Sequence, residues 1–278
     1  MTQKNATQDL IAALIITYNE EENISRTLNS LSWLSNILIV DSGSTDSTLS
    51  IARNYPSVRI VHRVFDSFAN QCNWGLSLLS TEWVLSLDAD YVISAELSKE
   101  ITQVLAFSAD DVVGFSIPFR YCVKGRPLRG TLLPPRTSLY RRNVGIYRNE
   151  GHGHRLELQG PVRSLRSPIF HDDRKPLDRW LQSQNRYMFK EAENLFNSDS
   201  SNLSFADRLR KHTYFAPFIV LFLCLFWKRG VLDGPRGWSY ALQRMYAEIL
   251  LLLILMDNDF NCVRNEFSKQ RKTSDLSV

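Results

Sequence analysis

Apolar and polar positions follow two alternating rhythms over the first ninety residues. Leu10 to Thr17 is a short apolar run of strand length, and Ile24, Leu28 and Leu31 then recur at i, i+4 and i+7, the repeat of one helix face. Ile37 to Val40 reads as a buried strand, followed by turn chemistry at Ser42 to Thr45 and a helix to about Asn54. Val58 to Val64 is the next strand, Phe68 to Ser80 the next helix and Trp83 to Leu87 the fourth strand. This β-α-β-α-β-α-β order predicts an α/β fold with a parallel sheet covered by helices. Ser94 to Phe107 continues as a helix. Residues 112–170 are richer in strands and are punctuated by Pro134, Pro135, Gly151, Gly153, Gly160 and Pro161. Leu177 to Phe196 returns to a helical repeat, with Trp180, Leu181, Tyr187, Met188, Ala192 and Leu195 on one face.

The last third changes character. Tyr214 to Trp227 carries no charge, with Arg208, Arg210, Lys211 and His212 before it and Lys228 and Arg229 after it. A second apolar block, Ile249 to Met256, ends a segment in which Leu242, Met245, Tyr246, Ile249, Leu250 and Leu253 have helical spacing. Fourteen residues fall short of the ~20 that cross a bilayer, so the expectation is a helical, membrane-associated segment that inserts, lies on the surface or forms a homodimer interface. The expected organisation is a catalytic domain over 8–202, a helical segment over 203–260 and a polar, frayed tail over 261–278.

Composition adds little to this. The 278 residues carry a net charge of +4, which does not call for nucleic acid as a partner. Cys72, Cys122, Cys224 and Cys262 form no CxxC pair and read as small buried hydrophobes in a reducing compartment. Met1 to Asp9 is polar and lacks the apolar core of a secretory signal. The expected location is the cytoplasmic face of the inner membrane, since the basic flanks of the apolar block favour anionic headgroups there.

Open α/β sheets bind ligands beyond the carboxyl ends of their strands. Acidic groups fall at three such ends: Glu20 to Glu22 after the first strand, Asp41 at the end of the second, and Asp88 and Asp90 after the fourth. Two carboxylates separated by one residue can share a hard divalent cation, Mg²⁺ or Mn²⁺, together with substrate phosphates. Asp88 and Asp90 therefore suit a nucleotide diphosphate. Taken singly, each feature has a plainer reading: a DxD triplet on a solvated turn, a strand-end Asp capping a helix, or acidic residues complementing a helix dipole.

Taken together and in order, the segments Ile15–Ile24, Val40–Thr48 and Ser86–Asp90 resemble the three opening motifs of the family-2 inverting glycosyltransferases. The nearest group contains bacterial lipopolysaccharide-core β-glucosyltransferases. Weaker similarity continues through Pro135-Arg136, Leu139 to Arg142, Gly160 to Val162 and His171 to Asp173. The resemblance implies a GT-A, Rossmann-like nucleotide-diphospho-sugar transferase fold. It also implies a nucleotide-sugar donor and a glycan or lipid-linked acceptor. By position, Thr17, Tyr18 and Glu20 would line the nucleotide pocket, and Asp41 would hydrogen-bond the base. Asp88 would lie near ribose and metal, with Asp90 the principal metal ligand. Asn73, on the helix before the metal motif, would approach the donor.

A clear ED or TED base motif is absent, and Glu150, His152 and His154 are the candidate general bases. His171 with Asp172 and Asp173 reads either as a second face of the metal or acceptor site or as a structural hydrogen-bond cluster. The QxxRW motif of processive synthases is missing, which favours addition of a single sugar. Two alternatives stand beside this: a sugar-nucleotide pyrophosphorylase, and a glycan-binding membrane protein with a decayed transferase domain. Tyr18-Asn19-Glu20 in place of a Gly-rich basic loop argues against the first; intact Asp41, Asp88 and Asp90 argue against the second.

Overall fold

The computed structural model describes residues 10–107, 111–150, 153–198, 203–212 and 214–274, the last seventeen of these by backbone alone. Contacts divide the chain into two compact units, Met1–Lys175 and Pro176–Val278.

The first unit is built on β1 (Ile11–Thr17), α1 (Ile24–Ser30), β2 (Ile37–Asp41), α2 (Thr48–Ala52), β3 (Val58–His62), α3 (Phe68–Ser77), β4 (Trp83–Asp88), β5 (Tyr91–Ile93) and α4 (Ala95–Phe107). It continues with β6 (Gly114–Ile117), β7 (Phe119–Val123), β8 (Arg126–Pro127), β9 (Arg136–Arg141), the hairpin β10 (Ile146–Glu150) and β11 (Gly153–Glu157), β12 (Val162–Ser164) and β13 (Ile169–His171). The main sheet has seven strands in the order β12-β6-β9-β4-β1-β2-β3. Pairing is parallel from β3 through β4, and β9 alone runs against its neighbours. This is the mainly parallel sheet of a GT-A-like α/β fold. A smaller sheet, β5-β13-β7-β8, brings the segment after β13 back beside the start of β5.

Strand β1 is buried along almost its whole length because helices cover both faces. Ile11, Ala13 and Ile15 pack with Ile24, Leu28, Leu97 and Ile101 on one side, while Leu14 packs with Ala69, Cys72 and Leu76 on the other. Gly75 lets α3 lie close to the sheet: a Cβ there would sit 2.5 Å from Leu14 Cδ1 and 3.0 Å from Val40 Cγ2. Order reverses at β1, with β2 on one side and β4 on the other, and the carboxyl ends of these strands form the switch-point crevice.

The second unit contains α5 (Leu177–Asn197), α6 (Phe205–His212), α7 (Ala216–Phe222), a π-turn at Leu223–Trp227, a 3₁₀ turn at Gly230–Asp233 and α8 (Pro235–Ser274). Met188, Ala192 and Leu195 of α5 form one core with Ala247, Leu251, Ile254 and Leu255 of α8. The boundary expected at 202 therefore differs from the division at Lys175, because the apolar face of α5 is matched by α8. The helix expected to stop near Met256 continues to Ser274. Cys72, Cys122 and Cys224 are buried free thiols.

Candidate active site

Register places Thr17 beside Asp41, and Ile16 beside Asp88, so three of the sequence-predicted positions share one level of the sheet. Thr17 is buried, and its Oγ1 has no partner among the described residues. Tyr18 is exposed. The two loops beyond β1 and β2 are laced together: Asn19 and Glu20 donate their backbone N–H groups to Ser44 Oγ (2.9 Å) and Thr48 Oγ1 (2.7 Å). Thr45 N–H donates to Asn19 Oδ1 at 2.8 Å, and Ser47 N–H to Glu21 Oε2 at 2.9 Å. Glu21, Glu22 and Asp46 draw together in this lacing. Asn19 turns the chain in the left-handed region, φ 54°, where Asn is among the tolerated residues.

Asp41 organises the loop that follows it. Its buried carboxylate accepts from Gly43 N (2.8 Å), Ser44 N (3.0 Å) and Ser44 Oγ (2.5 Å), so its oxygens are already used in shaping its own loop. That loop lines a cavity of about 560 Å³ with Leu49, Arg53, Val58, Ile60 and His62; neither Thr17 nor the Asp88–Asp90 pair lines it. The Asn73 amide donates to Tyr147 O and accepts from Tyr147 N, both at 2.9 Å, and so clamps β10 to α3. The side chains of Glu150 and His154, and the whole of His152, lie outside the described residues; the backbone puts Glu150 on β10 and His154 on β11. The root of their hairpin is fixed: Tyr147 bonds Tyr140 at 3.0 Å and also Ser86, two residues before Asp88.

The Asp88–Asp90 turn is held from two sides. Thr27 of α1 donates to Ala89 O at 2.7 Å, and Ser30 Oγ accepts Ile93 N–H at 3.0 Å. From the opposite end of the unit, Asp172 N–H reaches Asp90 O at 3.1 Å, and His171 Nε2 lies 3.0 Å from Asp90 Oδ2. Asp88 is exposed; Tyr91 bonds to it. Burial opposes ionisation of Asp90, but the adjacent His171 prevails and holds the carboxyl below its ordinary value. Burial likewise opposes a charge on His171, yet Asp90 raises its pKa. Asp90 Oδ1 and His171 Nδ1 are both buried with no partner among the described residues.

Sequence reasoning missed the hub that joins these parts. Asn23 is fully buried. Its Nδ2 donates to Glu20 Oε2 and Asp173 Oδ1, both at 2.9 Å, and its Oδ1 accepts from Arg26 Nη2 (2.6 Å) and Arg174 N (3.0 Å). Asp172 is tied by Arg174 at 2.8 Å and Gly125 N at 3.1 Å, and Arg26 donates to the Asp172 carbonyl at 2.8 Å. Lys175 pairs with Glu20. Burial pushes the Glu20 carboxyl up to about 7, with Lys175 pulling the other way. The pairing across some 150 residues leaves no local periodic signal. The available hint was the charge density of His171 to Lys175 directly after a strand.

A carboxylate pair at strand ends, backed by an imidazole and a lysine, is suited to a cation and a phosphate-bearing ligand. The buried, unpartnered Oδ1 of Asp90 is the observation that fits a metal, since such an acceptor is costly unless a cation or donor meets it. The profile of glycosyl transferase family 2 matches residues 12–159, which takes in β1 through the hairpin. The chain belongs to this family. Lipopolysaccharide core biosynthesis glycosyltransferase LpsC of Rhizobium meliloti is 26% identical over 229 residues, 80% of this chain and 82% of that protein. An uncharacterized glycosyltransferase of Rickettsia conorii is 35% identical over 102 residues, 36% of each. Among solved structures, S. aureus TarS 1–349 in complex with UDP-GlcNAc is similar with 17% identity and a TM-score of 0.45, covering 88% of this chain and 89% of that one. The protein is thus a glycosyltransferase.

Proposed function

We propose that this glycosyltransferase moves a single sugar, with inversion, from a nucleotide diphosphate donor to a glycan or lipid-linked acceptor in cell-envelope or lipopolysaccharide synthesis. The uridine base of the donor follows from the family resemblance, and the acceptor class from the likeness to the lipopolysaccharide-core relative. The observation that carries the reading is Asp90: one carboxylate oxygen pairs with His171, and the other is buried with no partner among the described residues. Asp88, Asp90 and His171 would hold a Mg²⁺ or Mn²⁺ ion, which when bound offsets charge on the departing diphosphate.

The chain's own groups do the rest. Tyr18 offers an exposed ring to the base, and the Thr17 hydroxyl lies buried at the strand end behind it. Lys175, kept charged by Glu20 and Asp173, adds positive potential beside the carboxylates. In-line displacement requires the acceptor hydroxyl to lose its proton as it attacks the anomeric carbon. One of Glu150, His152 and His154 takes that proton. The hairpin bearing them is rooted at Ser86 and clamped by Asn73, which fixes its base near the metal motif. A screen of donor hydrolysis over UDP-, GDP- and dTDP-sugars with Mn²⁺ or Mg²⁺ tests the proposal. It expects turnover of a UDP-sugar that chelator abolishes. No turnover of any donor would favour a decayed, glycan-binding protein.

A further inference from the structure

The second unit carries a large apolar surface that its own helices leave bare. From the N-cap of α7 through the π-turn, Phe215, Phe218, Ile219, Phe222 and Phe226 fall at helical spacing and are exposed, Phe218 by 59% and Phe222 by 57%. On α8, Trp238, Leu242, Tyr246, Ile249 and Leu253 are exposed and, at ~100° per residue, lie within an arc of about 80°. The buried α8 residues Tyr240, Ala247, Leu251, Ile254 and Leu255 lie on the opposite side. The two helices pack on each other, and the turn joining them is tight: a Cβ on Gly237 would collide with the Gly230 carbonyl. Taken together, the two stripes leave on the order of 1,000 Å² of apolar surface bare, where a contiguous patch on a monomer is usually a few hundred.

Charge and side-chain type say what covers it. The turn between the stripes holds Lys228, Arg229 and Arg236 against one acidic residue, Asp233, and Trp227, 75% exposed, stands beside them. Indoles with basic residues at the rim of an apolar face match the headgroup region of an anionic leaflet.

The same contacts decide how deep the unit goes. Pro235–Asp257 is long and apolar enough to cross a bilayer. Its inner face, however, is committed to α5 and to charges. Glu248 is buried and accepts from Arg210 at 2.9 Å, and Arg210 also holds Glu191 at 2.8 Å. Crossing would strip the α5 core and leave Arg244 and Glu248 in hydrocarbon, which is costly. The α7 segment, twelve residues with its π-turn, is too short to cross. We infer that the protein is monotopic: α7 and α8 lie in the plane of one anionic leaflet, apolar stripes down, with Lys228, Arg229 and Arg236 at the headgroups.

This inference stands apart from the transfer chemistry, because vesicle binding is read with no donor present. The full-length protein is floated with vesicles of 30% phosphatidylglycerol in phosphatidylcholine. The wild type should float. Phe218→Glu/Phe222→Glu should lower the bound fraction at least tenfold with an unchanged circular dichroism spectrum, and Lys228→Glu/Arg229→Glu should lower it several-fold at low salt. Depth is read by lipid-borne quenchers on labels at Leu242→Cys and Leu253→Cys. Equal, shallow quenching and a C-terminal tag fully open to protease support the in-plane arrangement. A depth difference approaching ~16 Å, the rise over eleven helical residues, or a protected tag would overturn it in favour of a span. A soluble dimer that ignores vesicles, and becomes monomeric in the Phe218→Glu/Phe222→Glu variant, would overturn it in favour of a self-interface.

Discussion

Asn23→Ala is the substitution that most directly probes how the site is held. Asn23 makes four hydrogen bonds from a position with no solvent exposure: two donated to carboxylates, one accepted from a guanidinium and one from the Arg174 backbone. Summed separately at ~0.5–3 kcal/mol each, these would overstate the loss. Glu20 keeps Lys175, Asp173 keeps the Lys175 N–H, and Arg26 keeps the carbonyls of Glu22 and Asp172. Of these bonding groups, the Arg174 N–H has no other acceptor among the described residues, and water entering the gap recovers part of the rest. The expected loss is therefore about 2–4 kcal/mol, a large share of the ~5–15 kcal/mol that stabilises a typical fold. At ~2–4 °C per kcal/mol for a chain of this size, the melting temperature should fall by roughly 4–16 °C. Urea melts followed by fluorescence give the free energy, and scanning calorimetry the temperature. Because Asn23 also ties His171–Lys175 to the β1 loop, kcat/KM should fall about 10²-fold through misplacement of that segment. A loss below about 1 kcal/mol with unchanged kcat/KM would refute the view that this hub positions the site.

Thr27→Val removes the one hydroxyl that holds the Ala89 carbonyl and keeps the side-chain shape; stability should fall by ~1–3 kcal/mol, read by the same melts. Asn73→Ala should lower stability by ~1–3 kcal/mol through release of β10, yet leave UDP affinity within about twofold by calorimetry; a tenfold loss would return Asn73 to the donor site. Glu20 carries a folded-state pKa of about 7, above its ordinary 4.5, so it binds a proton more readily folded than unfolded. Its contribution to stability is thus present below pH ~4.5 and lost as pH rises through about 7. In chelator, Glu20→Gln should flatten that part of the stability–pH profile, and an unchanged slope would contradict the burial argument.

The first ninety residues were legible because each strand and helix there buries its own periodic face. Ile24 and Leu28 announce α1, and Asp41 and Asp88 stand at strand ends as their patterns require. What was not legible depends on distant partners. Whether Asp41 is free to meet a base turns on the Gly43–Ser44 loop folding back onto it, and whether Asn73 faces donor or hairpin turns on where Tyr147 lands. His171 was read either as part of the site or as a structural cluster. Its place beside Asp90 comes from β13 pairing antiparallel to β5, a register that no local repeat in the sequence records. Similarly, α5 shows its apolar stripe openly, but the stripe does not say that α8 will cover it.

The central claim is that Asp88, Asp90 and His171 hold the cation that binds the donor diphosphate. Calorimetric titration of UDP into the wild type and Asp90→Ala, each with Mn²⁺ and with chelator, tests it most directly. Mn²⁺ should raise wild-type affinity at least tenfold, about 1.4 kcal/mol, and Asp90→Ala should lose that increment while keeping its circular dichroism spectrum, though it should melt at a lower temperature because His171 loses its partner. A full Mn²⁺ increment in Asp90→Ala would contradict the account.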